Sequence, residues 1–110
     1  MASDVSQKVK YIFYDKEAFS LRRAITLQSS MDGGFWIHSY SPLAIAAYGR
    51  TREESLLAFA MELSSAWHHI AVAPDEILAT DARALKRKLV GLVESVRSRA
   101  EVLSELDQDA

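Results

Sequence analysis

Residues 31–63 constrain the fold more than any other part of this chain. The Asp-Gly-Gly sequence at 32–34 is typical of a tight turn between two apolar segments. An aromatic run, a proline and a short run of small residues ending at Gly49 follow it. Thr51 with Glu54 three residues later is the residue pair that caps the start of a helix. The segment therefore predicts a turn, a strand, a break, a second strand and a capped helix.

The preceding sequence predicts further strands. Residues 8–14 alternate in polarity and contain aromatic and β-branched side chains, which favours a strand. Residues 19–30 fit a strand by the spacing of Phe19, Leu21, Ile25 and Leu27, or a helix by that of Leu21, Ala24, Ile25 and Gln28. The turn that follows favours the strand, because it would join residues 19–30 to residues 35–40 as a hairpin.

Two helices are predicted after the strands. The first covers about residues 52–71 and has an apolar stripe at Leu56, Ala60, Leu63, Trp67 and Ile70. The second begins at Thr80 or Asp81 and continues to Leu106. Its apolar residues are spaced alternately by four and three, which is the pattern of a coiled-coil seam, broken once by Arg99. At ~1.5 Å per residue such a helix would be about 40 Å long and would extend beyond a compact domain.

The stripe of the second helix has three interpretations. It could pack within the subunit or in a broad dimer interface, it could form a two-stranded coiled coil, or its end could fray. Apolar residues beside the seam, among them Val93 and Val102, favour the first interpretation because they widen the stripe. We expect a homo-oligomer whose interface is formed by Leu85, Leu89, Leu92 and Val96.

Together these elements predict a single α+β domain. It contains an antiparallel sheet of three to four strands, one helix packed on the sheet and a long C-terminal helix. We expect a flexible tail at residues 1–7, the sheet and helix core at 8–79, and the C-terminal helix with an acidic tail at 80–110. A chain of 110 residues with 49% hydrophobic and 25% charged residues is typical of one such domain.

Composition narrows the classes of function. The chain has no cysteine, which excludes disulfides and thiolate sites and suits the cytoplasm. No apolar stretch reaches the roughly 18 residues of a membrane span, and we expect no contact with a membrane. The net charge of −2 lacks the excess of basic residues found in most nucleic-acid binders. Binding of nucleic acid is left undecided at this point.

The chain carries no motif of a catalytic or metal site. His68 and His69 are adjacent, so on a helix they would point about 100° apart, whereas a metal-binding helix places histidines four residues apart. No motif frames a nucleophile beside His38. The carboxylates of Glu53 and Glu54 are explained by their place in the first turn of a helix. We therefore expect no catalytic residue, metal ion or cofactor.

The aromatic residues near the predicted turn suggest a binding surface. Trp36, His38 and Tyr40 share one face of the predicted strand, and Tyr48 lies in the next strand. This composition is typical of a binding hot spot if the face is exposed. The same face could instead form the core beneath a helix. We predict these four residues as the contacts to a protein partner.

The order of these features resembles the HicB-like antitoxin family. The residues that carry the resemblance are Gly33-Gly34-Phe35-Trp36, Pro42-Leu43 and Gly49-Arg50-Thr51-Arg52-Glu53-Glu54-Ser55-Leu56, within about residues 25–70. The resemblance implies a partial ribonuclease-H-like β-β-β-α core that has no nuclease activity. It also implies that this core binds and masks a small toxin ribonuclease.

The chain also departs from that family. A strand is predicted before the core, and the Gly-Cys often found in the family between Leu43 and Gly49 is absent. One long C-terminal helix replaces a ribbon-helix-helix or helix-turn-helix module, which leaves DNA binding without a predicted element. Two alternatives remain: a self-associating structural or adaptor protein that uses the C-terminal helix, and a small enzyme that uses His38.

Overall fold

A computed structural model describes residues 5–108 and shows an α+β fold built on an antiparallel sheet. The predicted fold class is confirmed. The described residues form five strands and three helices. The strands are β1 (Val5–Tyr14), β2 (Glu17–Asp32), β3 (Phe35–Tyr40), β4 (Ile45–Gly49) and β5 (Val93–Ser98). The helices are α1 (Arg52–Ala66), α2 (Thr80–Leu92) and α3 (Arg99–Gln108).

Strands β1 to β4 lie side by side in chain order. The turn between β2 and β3 consists of Gly33 and Gly34, with φ angles of 58° and 84°. Positive φ at both positions gives the turn that matches the twist of a hairpin, and glycine adopts it without steric cost. The strand at residues 19–30 and the hairpin are therefore both confirmed.

The long strand β2 pairs along both of its edges. One edge pairs with β1 from Glu17 to Ser29. On the other edge, β5 pairs with Glu17–Leu21 and β3 pairs with Gln28–Asp32. Between these two partners, residues 22–27 have no strand beside them on that edge within the described part of the chain.

The main core lies between one face of the sheet and helices α1 and α2. Phe19, Leu21 and Leu27 of β2 are fully buried there, together with Phe59 and Leu63 of α1. Leu89 and Leu92 of α2 complete the same cluster.

The third helix covers part of the opposite face. Ala18 is fully buried although its side chain points away from that of Phe19. Arg97 of β5 lies across from Ala18 and forms an ion pair with Glu105 of α3 at 2.7 Å. Val102 of α3 is 1% exposed. The sheet therefore has a helix on each face near the start of β2.

The predicted long C-terminal helix is wrong. It ends at Leu92, the chain continues as β5, and helical structure resumes only at Arg99. The β-branched Val93 and Val96 suit a strand, and the edge of β2 offers them a partner. This pairing places Val96 across from Phe19. Val96 therefore still packs against the apolar core, although it belongs to a strand and not to a helix.

Two other predicted boundaries also change. Residues 5–7, expected in a flexible tail, belong to β1, while residues 1–4 and the end of the acidic tail at 109–110 lie outside the described residues. The first long helix ends as an α-helix at Ala66 and continues as one π-helical turn, Trp67–Ala71. Short 3₁₀ turns cover Ser41–Leu43 and Asp75–Ile77. Within residues 5–108, every helix is too short or too polar to span a membrane.

Candidate functional site

Among the described residues, four of the exposed large apolar side chains line one open groove along α1. Leu57 and Met61 lie one helical turn apart and are 57% and 49% exposed. Tyr48 of β4 and Phe35 of β3, at 58% and 46%, line the same groove, which has a volume of about 440 Å³. We call the groove that these four residues line the α1 groove. Apolar side chains that share one concave surface are typical of an interaction site.

The chain between β4 and α1 fixes the shape of this groove. Gly49 approaches the first turn of α1 so closely that a Cβ there would lie 2.7 Å from the carbonyl carbon of Glu54 and still closer to the amide nitrogen of Ser55. Thr51 Oγ1 accepts a hydrogen bond from the amide of Glu54 at 3.0 Å. The Glu54 carboxylate accepts one from the amide of Arg50 at 3.1 Å. The predicted cap is confirmed, and its reciprocal bond reaches Arg50.

Three carboxylates lie on the exposed face of α1, and one of them lines the groove. Glu53, Glu54 and Glu62 are exposed residues of α1, and Glu54 itself lines the groove. Arg50 also lines it, and Arg52 of the same helix lies over the ring of Trp36 at 5.4 Å from its centroid. The exposed face of α1 therefore combines apolar anchors with acidic side chains.

The predicted partner contacts lie in different environments. Tyr48 is exposed and belongs to the α1 groove. Trp36 and Tyr40 are only half-buried, but they lie on the face of the sheet that α1 covers. Of the two alternatives for this face, an exposed patch or the core beneath a helix, His38 takes the second, since its side chain is 1% exposed. Alternation along β3 places His38 toward the helix, whereas Phe35, the first residue of β3, has the opposite parity and lines the groove together with Gly49 and Arg50.

His38 forms a buried polar contact between the sheet and α1. Its Nδ1 lies 2.6 Å from Ser55 Oγ, and that hydroxyl donates to the carbonyl of Arg52 at 2.9 Å. The Ser55 hydrogen is thus engaged, so the imidazole donates its Nδ1 hydrogen to Ser55. Burial, and secondarily the charge of Arg52, lowers the pKa of His38. The pair holds α1 against β3 with a neutral imidazole.

The buried side of this contact includes one more hydroxyl. Ser29 of β2 pairs directly with His38 and is fully buried. Its Oγ has no hydrogen-bond partner among the described residues. Ser55 is buried, and its hydroxyl already donates to a carbonyl. The contact between His38 and Ser55 therefore serves to hold α1 on the sheet.

The residues predicted as an oligomer interface are part of the subunit's own core. Leu89 and Leu92 are 0% and 3% exposed, and Leu85 and Val96 pack beside them. Exposed apolar residues at this end of the chain include Val90 of α2 at 42%, and Leu103 and Leu106 of α3 at 45% and 36%. Self-association through the predicted stripe would require Leu89 and Leu92 to leave the core.

The remaining histidines have individual partners. His68 Nε2 lies 2.7 Å from a carboxylate oxygen of Glu17, and His69 Nδ1 lies 2.8 Å from the carbonyl of Ser65. Within residues 5–108, no three His, Asp or Glu side chains converge as a metal site requires.

Sequence patterns could have located most of the α1 groove. The predicted buried stripe of Leu56, Ala60 and Leu63 leaves Leu57 and Met61 on the outer side of the helix. Phe35 follows once His38 is assigned to the covered face of β3.

Comparisons of the chain with models of known protein families, with curated proteins and with solved structures found no match.

Proposed function

We propose that this protein is a non-catalytic, cytoplasmic binding module of the HicB antitoxin type, and that it masks a small toxin ribonuclease. The observation that carries the proposal is the α1 groove, in which four large apolar side chains are 46–58% exposed. Tyrosine and other large apolar residues dominate the binding energy of many protein interfaces.

The order of elements supports the family proposal. Strands β2, β3 and β4 followed by α1 form a β-β-β-α unit, the order that the resemblance implies. The short sequences that carry the resemblance form the hairpin turn, the 3₁₀ turn and the capped start of α1. In this proposal β1 and the C-terminal part, α2 to α3, are additions to that unit.

Charge supports a ribonuclease as the partner. An enzyme that binds RNA presents basic residues to the phosphate backbone. Glu53, Glu54 and Glu62 on the exposed face of α1 complement such a surface. The partner would then place an apolar residue against Leu57 and basic residues against these carboxylates.

The proposal is tested by mixing the purified protein with the product of a neighbouring small open reading frame that cleaves RNA. We expect RNA cleavage to stop at a one-to-one ratio and the two proteins to elute together in size-exclusion chromatography. Leu57→Asp should weaken inhibition at least tenfold, because it places a charge in the apolar part of the groove. Ile77→Asp is the matched control, since Ile77 is 73% exposed and lies outside the groove.

Undiminished cleavage at saturating protein would reject the proposal. Equal inhibition by the Leu57→Asp and Ile77→Asp variants would keep an antitoxin function but reject the α1 groove as its site.

The alternative function is a self-associating adaptor protein, and the exposed Leu103 and Leu106 favour it. In this alternative α3 replaces the buried stripe as the interface. Light scattering across a hundredfold range of concentration should then show an oligomer that Leu103→Asp converts to a monomer. A monomer throughout that range would remove this alternative and leave the antitoxin proposal unaffected.

A further inference from the structure

A second groove lies between the 3₁₀ turn Ser41–Leu43 and the last turn of α2. It has a volume of about 500 Å³ and is separate from the α1 groove. Pro42 and the ring of Tyr40 supply most of its accessible apolar surface, because Leu43 and Leu92 line it but are only 5% and 3% exposed. The groove opens beside β2 residues 22–27, where that edge of the strand has no neighbouring strand among the described residues.

The charged residues of this groove are both basic. Arg23 of β2 and Lys88 of α2 line it, and no carboxylate does. Within residues 5–108, neither side chain forms an ion pair, whereas Lys86 is paired with Asp75 at 2.7 Å. Both side chains are exposed and line the same groove. An anion in the groove would be attracted by both charges.

Gly91 keeps one wall of the groove open. It lies within α2, its φ is not positive, and a Cβ there would meet nothing within 4 Å. Glycine inside a helix is less favourable than alanine by about 1 kcal/mol. The backbone therefore does not require a glycine at this position. Its missing side chain leaves room for a ligand beside Lys88 and Leu92.

We propose that this groove binds a small organic acid, a carboxylate carried on an apolar body. The guanidinium of Arg23 matches the two oxygens of a carboxylate, and the ammonium of Lys88 supplies a second positive charge. Pro42 and the Tyr40 ring would cover the apolar body. This inference does not depend on the proposed antitoxin function.

The test is a titration of the ¹⁵N-labelled full chain, followed by amide chemical shifts. Three probes are compared: 3-phenylpropionate, its neutral amide 3-phenylpropionamide, and inorganic phosphate. We expect 3-phenylpropionate to shift the amides of Leu43, Gly91 and Leu92, and to bind at least tenfold more tightly than either other probe. Binding should weaken as salt is added, because it depends on charge.

Variants assign the binding to the groove. Arg23→Gln combined with Lys88→Gln should weaken 3-phenylpropionate binding at least tenfold. Lys8→Gln combined with Arg87→Gln is the matched control, because it removes the same charge from exposed residues outside the groove. Gly91→Phe should block binding of 3-phenylpropionate. Gly91→Ala is its control, because it shows whether α2 tolerates a side chain at this position.

Several results would overturn the inference. Equal binding of the amide would show that the charges are not used, and equal binding of phosphate would show that the apolar surface is not used. Unchanged binding in the Arg23 and Lys88 double variant, or shifts scattered over the whole chain, would place the ligand elsewhere.

Discussion

The two ends of strand β2 differ sharply in burial. Near its start, Ala18, Phe19 and Leu21 are all 0% exposed. Near its end, Met31 is 42% exposed, and Phe35 across the turn is 46% exposed. One strand thus passes from a fully enclosed region to a surface that leaves apolar side chains in contact with solvent.

The difference comes from elements that follow α1 in the chain. At the start of β2, Trp67 packs edge-on against Phe19 with ring centroids 6.4 Å apart. The C-terminal part adds β5 at the strand edge and α3 on the opposite face. At the other end, within residues 5–108, Met31 and Asp32 pair with β3 alone, and Arg52 in the first turn of α1 lies over Trp36. Met31 and Phe35 can therefore stay exposed at this end without reducing the packing of the core.

The largest expected effect comes from truncating one aromatic residue at each end. Phe19→Ala should lower the free energy of unfolding by about 3–5 kcal/mol, because it leaves a cavity in the enclosed region. Phe35→Ala should lower it by less than about 1 kcal/mol, because its ring is half-exposed. Urea denaturation followed by circular dichroism measures both values. Similar losses at the two positions would mean that the ends do not differ in packing.

A second pair of variants tests whether the close approach of Gly49 fixes the position of the first turn of α1. Gly49→Ala should cost about 2–3 kcal/mol, because its Cβ would clash with backbone atoms of the first helical turn. Gly91→Ala should instead raise stability by about 0.5–1 kcal/mol, since its Cβ meets open space. Thermal melts should show a lower melting temperature for Gly49→Ala and a higher one for Gly91→Ala. A neutral Gly49→Ala would show that α1 is free to shift at this end.

The cap of α1 should have a smaller effect. Thr51→Ala removes the acceptor for the Glu54 amide and should lower stability by about 1 kcal/mol. Thr80→Ala is the control, because the N-cap of α2 is Ala79 and makes no side-chain capping bond. It should change stability by less than about 0.5 kcal/mol. Equal losses of stability in Thr51→Ala and Thr80→Ala would contradict the assignment of Thr51 as the cap of α1.

The smallest effect is a pH dependence from His38. Burial and the charge of Arg52 lower its pKa in the folded state, whereas the unfolded chain has the ordinary value of 6.5. Stability is therefore complete above about pH 6.5 and falls as the unfolded state takes up a proton below it. The slope cannot exceed about 1.4 kcal/mol per pH unit, and it ends below the folded pKa.

Urea denaturation between pH 7.5 and pH 5 measures this dependence. His38→Gln should remove the slope, whereas His68→Gln at an exposed position should retain it. A slope that persists in His38→Gln would assign the pH dependence to another group.

Sequence patterns predicted the part of the fold that depends on local chemistry. Gly33 and Gly34 specify the hairpin turn, and Thr51 and Glu54 specify the start of α1. The spacing within residues 19–30 fits a strand or a helix, and the turn that follows favours the strand β2. The candidate site was predicted only at Tyr48, because alternation alone does not say which face of β3 a helix will cover. The burial of His38 depends on the position of Ser55, 17 residues later.

By itself, the sequence determined the antiparallel hairpin sheet and the capped helix, because turns, caps and alternation act between residues close in the chain. Tertiary structure decided the fate of residues 93–98. Their apolar spacing suits a helical stripe, yet pairing with the edge of β2 converts them to β5 and buries Leu89 and Leu92 within the subunit. A strand partner about 75 residues away along the chain outweighed local helix propensity, since backbone pairing and burial exceed a propensity of a few tenths of a kcal/mol per residue.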